Sequence, residues 1–298
     1  MLQKETRKIG LSRALSKLGY CSRSQAADLI RAGRVRLNGN VRRDPETPLR
    51  LEQDRIAVDG RGIEPQTKIY LMMNKPRGLV TTASDEKGRE TVYTALTNAA
   101  GSLPWVAPVG RLDKASEGLL LLTNDPEWGA RVAAPETQLR KTYHVQIGSV
   151  AGAELSKALT VGVKSHEDLL CATAARLLRS GEKNCWLEVV LDEGKNRQIR
   201  RMLEALGVEV LRLVRITIGS LQLGKLPKGA YRSLTAEEKH SLDLAMSHVP
   251  LRSSRATATS ESSARECRKA VLSDSESPPG RNVLRKADEA KKGVRVHG

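Results

Sequence analysis

Residues 110–125 read GRLDKASEGLLLLTND. Four consecutive leucines, residues 119–122, lie between Gly118 and the turn-forming residues Thr123, Asn124 and Asp125, which predicts a short buried strand. The residues before the leucines mix charged and small side chains, as is typical of a loop that carries a functional group to a sheet edge. Asp113 is the candidate for that group. An Asp that caps a turn beside an Arg is the commoner meaning of an RLD tripeptide, so partners for Asp113 are needed elsewhere in the chain.

The composition is that of a globular protein with basic extensions. With 298 residues, of which 39% are hydrophobic, the chain is long enough for two domains with cores of their own. No apolar run approaches the roughly 20 residues of a membrane-spanning helix, and the charged N-terminus lacks the apolar segment of a signal peptide. We therefore expect a cytoplasmic protein without membrane contact. The four cysteines show no CxxC spacing and no Cys/His cluster, so no metal site is indicated.

The formal net charge is +16 and the sequence pI is about 9.9, which favours a polyanionic partner such as nucleic acid. Basic surfaces also serve solubility or membrane binding, so the distribution of the charge matters more than its total. Per residue, the excess of Lys and Arg is largest in residues 1–60 and 251–298. Both ends of the chain are therefore candidates for RNA contacts.

Residues 8–62 are predicted to form a small αα-plus-hairpin domain. Leu11, Leu15 and Leu18 recur at helical spacing, and Ser22 is placed to cap a second helix. Apolar and polar residues then alternate around the turn-forming pair Asn38-Gly39, which predicts a hairpin.

Arginines crowd the second helix and the residues that follow it, where guanidinium groups could bind phosphates bidentately. The candidate RNA-binding residues here are Arg23, Arg31, Arg34 and Arg36. An arginine-rich helix face is equally often plain solvated surface. Residues 22–39, SRSQAADLIRAGRVRLNG, resemble the small RNA-binding domain named after ribosomal protein S4, and this resemblance spans roughly residues 8–60.

Residues 67–246 are predicted to form a second, α+β domain built on a mixed and largely antiparallel sheet. Runs rich in β-branched residues predict strands at 68–73, 143–147, 185–191 and 208–218, and helices are expected at 92–97, 128–132, 153–159 and 197–206. Residues 74–78, NKPRG, are interpreted as a loop because Pro and Gly punctuate them. Residues 247–298 have no sustained periodicity and are predicted to be a disordered basic tail, either inert or an electrostatic tether for RNA.

Two segments could supply partners for Asp113. Residues 194–207, GKNRQIRRMLEALG, predict an amphipathic helix with Arg197, Arg200 and Arg201 on its basic side. An adjacent guanidinium favours the ionised form of a carboxylate. Tyr143, in the sequence Lys-Thr-Tyr, has an aromatic face that could stack on a base. A Tyr in a strand is more often an ordinary core residue.

The whole string from Gly110 to Asp125 resembles the active-site motif of the pseudouridine synthases, specifically the RsuA type that isomerises uridines of ribosomal RNA. It departs from the usual pattern at Ser116, where Thr is usual, and just after the string at Pro126, where Gly is usual. NKPRGLVTT, the Lys-Thr-Tyr element and the arginine helix match further motifs of that family. The resemblance covers roughly residues 8–240 and implies an S4-like RNA-binding domain followed by a pseudouridine synthase domain.

The resemblance implies the roles of individual residues. Asp113 is the catalytic carboxylate, Arg200 pairs with it, and Tyr143 lies against the target base. Arg111 helps to displace the flipped base. The remaining candidate RNA contacts are Lys75, Arg197 and Arg201.

The implied reaction needs no metal and no cofactor. The implied partner is ribosomal RNA or a ribosome-assembly intermediate, and a monomer is expected because no exposed apolar stripe is apparent. A flipped uridine would lose its C1′–N1 bond either through attack of Asp113 on C1′ or through removal of the C2′ proton. The sequence leaves open which of the two steps occurs, which uridine is modified and in which ribosomal subunit.

Two other functions remain possible from the residues alone. A noncatalytic RNA-binding or ribosome-assembly factor would use the N-terminal domain and keep the second one as a binding platform. A glycosidase-like hydrolase would need two acidic residues in the site, and Asp125 is interpreted as a turn residue instead.

Overall fold

Residues 9–62 fold around an apolar core of their own in the computed structural model, which describes residues 8–82, 88–97 and 103–247. Its elements are β1 (Ile9–Gly10), α1 (Leu11–Lys17), α2 (Arg23–Arg31), β2 (Val35–Leu37), β3 (Asn40–Arg42), β4 (Pro48–Leu49), β5 (Ile56–Val58) and β6 (Arg61–Gly62). Side chains of both helices, among them Leu15 and Ile30, are fully buried in this core, together with Val35 of β2. The predicted cap of α2 is confirmed, because Ser22 and Gln25 form a capping box.

The predicted hairpin is confirmed and is part of a larger sheet. β2 and β3 pair around Asn38 and Gly39, both of which have positive φ, as a two-residue hairpin turn requires. A second hairpin of the same kind joins β5 to β6, and the four strands lie in the order β3-β2-β5-β6. β1 pairs with β4 separately. The sequence analysis predicted one hairpin because β6, the return strand of the second, has only two residues.

The second part of the chain contains a nine-stranded sheet. The elements of this part of the chain are β7 (Tyr70–Lys75), α3 (Val92–Thr97), β8 (Ala107–Val109), β9 (Glu117–Thr123), α4 (Pro126–Ala133), a 3₁₀ turn (Pro135–Thr137), β10 (Lys141–Ile147), α5 (Ala153–Val161), β11 (Val163–Ser165), β12 (Asp168–Leu170), β13 (Ala174–Ser180), β14 (Cys185–Leu191), α6 (Gln198–Ala205), β15 (Val210–Ile218), β16 (Leu221–Gln222), β17 (Tyr231–Ser233) and α7 (Ala236–Ser247). β11 and β12 form a separate two-stranded sheet. The predicted strands and helices of this region are present, with ends shifted by a few residues.

The sheet is mixed and largely antiparallel, as predicted. Its main order is β13-β14-β10-β15-β9-β7-β17, with β16 beside β15 and β8 beside β9, and only the β9–β15 pair is parallel among the described strands. One face packs against a core that includes α3, α5 and α6, and the other packs against α4 and α7. β9 has all seven residues buried, because it lies in the sheet between these two layers. The chain is therefore of the α+β class.

Two local interpretations of the sequence need correction or completion. Asn74 and Lys75 belong to β7 and not to a loop, because β7 continues its pairing with β9 as far as Lys75 opposite Gly118. α7 extends to Ser247, one residue past the predicted end of the second domain. The predicted basic tail, from residue 248 onward, lies outside the described residues. None of the helices in the described ranges is both long and apolar enough to cross a membrane.

Candidate active site

The loop that carries Asp113, residues 110–116, is held by hydrogen bonds to its backbone carbonyl groups. Thr81 Oγ1 donates to the Leu112 carbonyl at 2.7 Å, and the Gly78 amide donates to that of Lys114 at 2.8 Å. Both donors follow β7 in the chain, in the segment that begins with NKPRG. This segment therefore positions the Asp113 loop through the backbone.

Lys75 binds the same loop from the buried side. Its side chain is fully buried, and Nζ donates to the carbonyl oxygens of Pro76, Asp113 and Ser116 at 3.1, 3.2 and 2.9 Å. An ammonium group has three N–H donors, so these three acceptors satisfy it. The prediction that Lys75 contacts RNA does not fit this position, because phosphate cannot reach a side chain with no exposed surface.

Burial also changes the acidity of Lys75. Desolvation lowers the pKa of its ammonium group to about 8, from an ordinary value of 10.5, although the nearby carboxylates of Asp113 and Glu117 act in the opposite direction. The structure therefore contains a lysine whose protonation changes within the working pH range of most enzymes.

The ion-pair partner of Asp113 is Arg197. The Asp113 carboxylate is about one-third exposed and lies 3.9 Å from Arg197 Nη1. Arg197 precedes α6 with a left-handed backbone, at φ 50°, and this conformation turns its side chain toward the loop. The expectation that Arg200 pairs with Asp113 is therefore corrected: among the described residues, Arg197 makes the ion pair within 4 Å.

Arg200 binds the loop instead of the carboxylate. Its Nη2 donates to the Ala115 carbonyl at 3.1 Å, and its Nε is buried without a hydrogen-bond partner among the described residues. Desolvation, followed by repulsion from Arg197, lowers the pKa of its guanidinium group, while Asp113 raises it. Arg200 is thus close enough to Asp113 for an electrostatic effect and acts on the loop directly.

The third arginine of α6, Arg201, faces a different segment. Its Nη2 binds the Asp168 carboxylate at 2.7 Å and the Ser165 carbonyl at 3.0 Å. These bonds join α6 to the β11–β12 hairpin. The side chain is only 22% exposed, so little of it remains for the predicted RNA contact.

Tyr143 lies on β10, opposite Arg215 of β15, which in turn is opposite Gly118. Tyr143 is therefore level with the start of β9, where the Asp113 loop ends. Its side chain belongs to the buried core that also includes residues of α5 and α6. Its hydroxyl has no hydrogen-bond partner among the described residues and is not closed off from solvent.

β9 and β15 approach closely at Gly118. The φ of Gly118 is +102°, and a Cβ atom there would overlap the backbone carbonyl oxygen of Arg215. The Arg215 side chain is buried, and its Nε donates to the Leu119 carbonyl at 2.8 Å. The strand that starts directly after the Asp113 loop is thus fixed against β15 at a position that only glycine tolerates.

Glu117 is a site residue that the sequence analysis missed. Its carboxylate is almost fully buried, accepts two 3.0 Å hydrogen bonds from Arg212, and lies 2.7 Å from Lys228 Nζ. Burial raises the pKa of Glu117, and the bonds to Arg212 and Lys228 outweigh this, so the pKa is lowered overall. The signal for it was present: an acidic residue begins a strand that is otherwise apolar.

The predicted RNA-binding arginines of the N-terminal part are all exposed, as is Arg111 of the Asp113 loop. Arg31 and Arg34 have acidic partners, Asp28 and Asp59. Arg36 bonds only to the Gly39 carbonyl, and Arg23 has no ion-pair partner among the described residues. Arg23 and Arg36 are thus the most accessible of the four for phosphate.

The described residues contain no group of three or more His, Cys, Asp or Glu side chains that could hold a metal ion. The charged groups in contact with the Asp113 loop are instead the guanidinium groups of Arg197 and Arg200 and the buried ammonium group of Lys75. This set can orient and stabilise a carboxylate and can bind a polyanion.

Comparison with known proteins identifies the family. The RNA pseudouridylate synthase family matches residues 69–205, and the S4 domain family matches residues 10–56. Ribosomal large subunit pseudouridine synthase B of Bacillus subtilis is 34% identical over 243 residues, which are 80% of this chain and 97% of the relative. An uncharacterised RNA pseudouridine synthase of Rickettsia conorii is 37% identical over 228 residues, covering 75% of this chain and 95% of the relative. A crystal structure of a pseudouridylate synthase matches with a TM-score of 0.53 at 28% identity, covering 78% of this chain and 99% of that one.

The fold and the site thus define a class of protein in which an S4 RNA-binding domain precedes a catalytic domain with a mixed sheet. Within that class, the chain belongs to the RNA pseudouridine synthase family and is an RNA pseudouridine synthase.

Proposed function

We propose that this protein isomerises a specific uridine of ribosomal RNA to pseudouridine, with Asp113 as the catalytic carboxylate. The observation that supports this most is the arrangement of the Asp113 loop, whose consecutive carbonyl groups are bound by Thr81, Lys75, Gly78 and Arg200 while the carboxylate itself stays partly exposed. A reacting group held in this way loses little orientational freedom when substrate binds.

The substrate assignment rests on the S4 domain and on the relatives. The Bacillus subtilis relative is named for the large ribosomal subunit, which makes large-subunit ribosomal RNA the first substrate to test. Ribosomal RNA inside an assembly intermediate is the second. A monomer and a cytoplasmic location remain predictions.

The chemistry follows from the positions of the side chains. The target uridine leaves its stack, at a cost of a few kcal/mol that contacts with phosphate and with aromatic rings offset. Arg111 and Arg197 are both exposed, and Arg197 lies beside Asp113. In this proposal Arg111 helps to displace the flipped base, Arg197 binds the RNA, and Tyr143 contacts the flipped base.

Asp113 then breaks the C1′–N1 bond, either by attacking C1′ or by removing the C2′ proton. The freed uracil turns and bonds to C1′ through C5 while the Asp113–C1′ bond breaks or, in the second route, while C2′ regains its proton. Loss of the C5 proton and protonation of N1 complete pseudouridine, and Tyr143 is the candidate group for removal of the C5 proton. Each atom of the uridine is retained except the C5 proton, which exchanges with solvent, and the reaction needs neither a cofactor nor a metal.

We assign the domains as residues 8–62 for the S4-like RNA-binding domain and 67–246 for the catalytic domain. Two separate buried cores support this division. The predicted tail at residues 247–298 remains a candidate tether for RNA.

The test is release of tritium from ribosomal RNA transcripts labelled at C5 of uridine, assayed separately for each subunit. Release from one of the transcripts or from an assembly intermediate supports the enzyme assignment. The alternative function, a noncatalytic RNA-binding or ribosome-assembly factor, predicts binding to these RNAs without release. Binding without any release, under conditions where a known synthase is active, would refute the proposal.

A further inference from the structure

The sequence string that carries Asp113 ends in a turn. This turn binds the residues that directly follow the connection between the two domains. Asn124, directly after β9, is buried, and its side-chain amide accepts from the Ile69 amide at 2.8 Å and donates to the Thr67 carbonyl at 2.9 Å. The next residue, Asp125, is also buried and binds Lys68 Nζ at 2.7 Å. Three consecutive residues at the start of the catalytic domain, directly after the connection, are thus bound to the residues that follow β9.

Gln66, in the connection, and Asn124, in this turn, also contact the S4 domain. The Gln66 amide donates to the Leu18 carbonyl at the end of α1, at 3.1 Å. Gly19, the following residue, packs so closely that a Cβ atom there would lie 3.2 Å from Asn124 Nδ2 and 3.3 Å from Gln66 Cβ. Beside this contact, Lys17 Nζ of α1 lies 2.8 Å from the Glu127 carboxylate of α4.

β9 is a continuous, buried strand that joins the contact with the S4 domain, at Asn124, to the Asp113 loop. Its seven residues are all buried and pair with β7, β8 and β15. A strand of that length spans about 20 Å, with the S4 contact at one end and the Asp113 loop at the other. The described residues accordingly belong to one compact unit.

We propose that the packing of Leu18 and Gly19 against Gln66 and Asn124 fixes the S4 domain at one distance from Asp113 and thereby selects the uridine that is modified. This inference rests on the proposed function, because it assigns substrate selection to that activity. RNA bound by the exposed arginines of the S4 domain then presents to Asp113 only the nucleotide at the matching distance.

A flexibly tethered S4 domain would act differently. A flexible tether raises the local concentration of RNA at the active site but does not restrict which neighbouring uridine enters it. The two arrangements therefore differ in selectivity more than in affinity.

The test variant is Gly19→Asn, with Gly60→Asn as its matched control. Gly19 and Gly60 have φ values of +76° and +77°, both in the S4 domain, and nothing lies within 4 Å of a Cβ atom at Gly60. Asn is among the residues that best tolerate this backbone region, so both variants bear a similar local cost. Only Gly19→Asn places a side chain in the contact with Asn124 and Gln66.

The measurement is the distribution of pseudouridine over all uridines of ribosomal RNA transcripts, mapped after treatment with wild type or variant at equal turnover. We expect Gly19→Asn to lower the ratio of target to neighbouring modification by about tenfold, while Gly60→Asn keeps the wild-type pattern. A Gly19→Asn enzyme that is active and as selective as wild type would overturn the inference. Failure of the proposed function looks different, because wild type itself would then form no pseudouridine.

Charge reversal at the edge of the contact keeps the test valid if Gly19→Asn does not fold. Lys17→Glu and Glu127→Lys each place like charges at the contact, and the double variant restores an opposite pair. We expect both single variants to lose selectivity and the double variant to regain it. Unchanged selectivity in both single variants would count against the inference.

Discussion

Lys75 determines the position of Asp113 although it contacts no solvent. Lys75→Met removes the donor to three carbonyl groups; that of Asp113 keeps a further bond, from the Ser116 amide. Leaving buried acceptors unpaired is costly, so we expect the free energy of unfolding to fall by about 3 kcal/mol. Urea denaturation measures this, and tritium release below the melting temperature should also be reduced. A variant with wild-type stability and activity would show that the three bonds do not matter.

The lowered pKa of Lys75 makes activity and stability depend on pH in opposite directions. Above pH 8 the neutral amine has two N–H donors for three carbonyls, so we expect activity to decline as pH rises through 8. The unfolded chain holds the extra proton between pH 8 and about 10.5, so the contribution of Lys75 to the free energy of unfolding increases over that window. An NMR titration of Lys75 Cε, assigned with Lys75→Met, reports the pKa. A midpoint above 10 would contradict this account.

Gly118 is required by the close approach of β9 and β15. In Gly118→Ala, the Cβ atom meets the Arg215 carbonyl and the backbone keeps a positive φ, so we expect a loss of about 3 kcal/mol in stability. Gly229→Ala is the matched control, because Gly229 has φ +79° and open space around it. It should lose only about 1 kcal/mol. Equal losses in urea denaturation would mean that backbone strain alone sets the cost.

At the scale of elements, two arginines at the start of α6 contact different parts of the Asp113 loop. Arg197 pairs with the Asp113 carboxylate, and Arg200 binds the Ala115 carbonyl. Arg197→Ala removes the exposed partner of the Asp113 carboxylate, so we expect kcat to fall by about tenfold with little change in stability. Arg200→Ala removes a buried donor to the Asp113 loop and should lower stability by about 2 kcal/mol. Arg201→Ala, which breaks the bond to Asp168, is the control on the same helix. Single-turnover assays and melting curves distinguish the three, and equal kcat values for Arg197→Ala and wild type would contradict the assignment.

The sequence predicted the elements of the site better than the contacts between them. The apolar block of β9, the cap of α2 and the amphipathic pattern of α6 are local signals, and they were interpreted correctly. The pairing of Arg200 with Asp113 was implied by the family resemblance, whereas the ion pair in the structure is made by Arg197, which precedes α6 with a left-handed backbone that the sequence pattern does not reveal. Lys75 was a candidate RNA contact, and its burial was missed because two of its three acceptors, the carbonyls of Asp113 and Ser116, lie 38 and 41 residues further along the chain.

At the scale of the whole molecule, exposed arginines of the S4 domain should account for much of the salt dependence of RNA binding. Arg23 and Arg36 are exposed and have no acidic partner among the described residues. We expect Arg23→Ala combined with Arg36→Ala to reduce the slope of log affinity against log salt by about 2. Arg232→Ala, which breaks a bidentate pair with Glu238 in the catalytic domain, should leave the slope unchanged. An unchanged slope in the double variant would remove these arginines from the RNA-binding surface.

The most direct test of the account compares two carboxylates that each bind an arginine in or just before α6. Asp113 pairs with Arg197 and Asp168 pairs with Arg201, but only Asp113 is carried by the loop that Lys75 and Arg200 hold. We predict that Asp113→Asn abolishes tritium release from C5-labelled ribosomal RNA while RNA binding persists, and that Asp168→Asn retains release. Tritium release by Asp113→Asn at a rate near that of wild type would contradict the central claim.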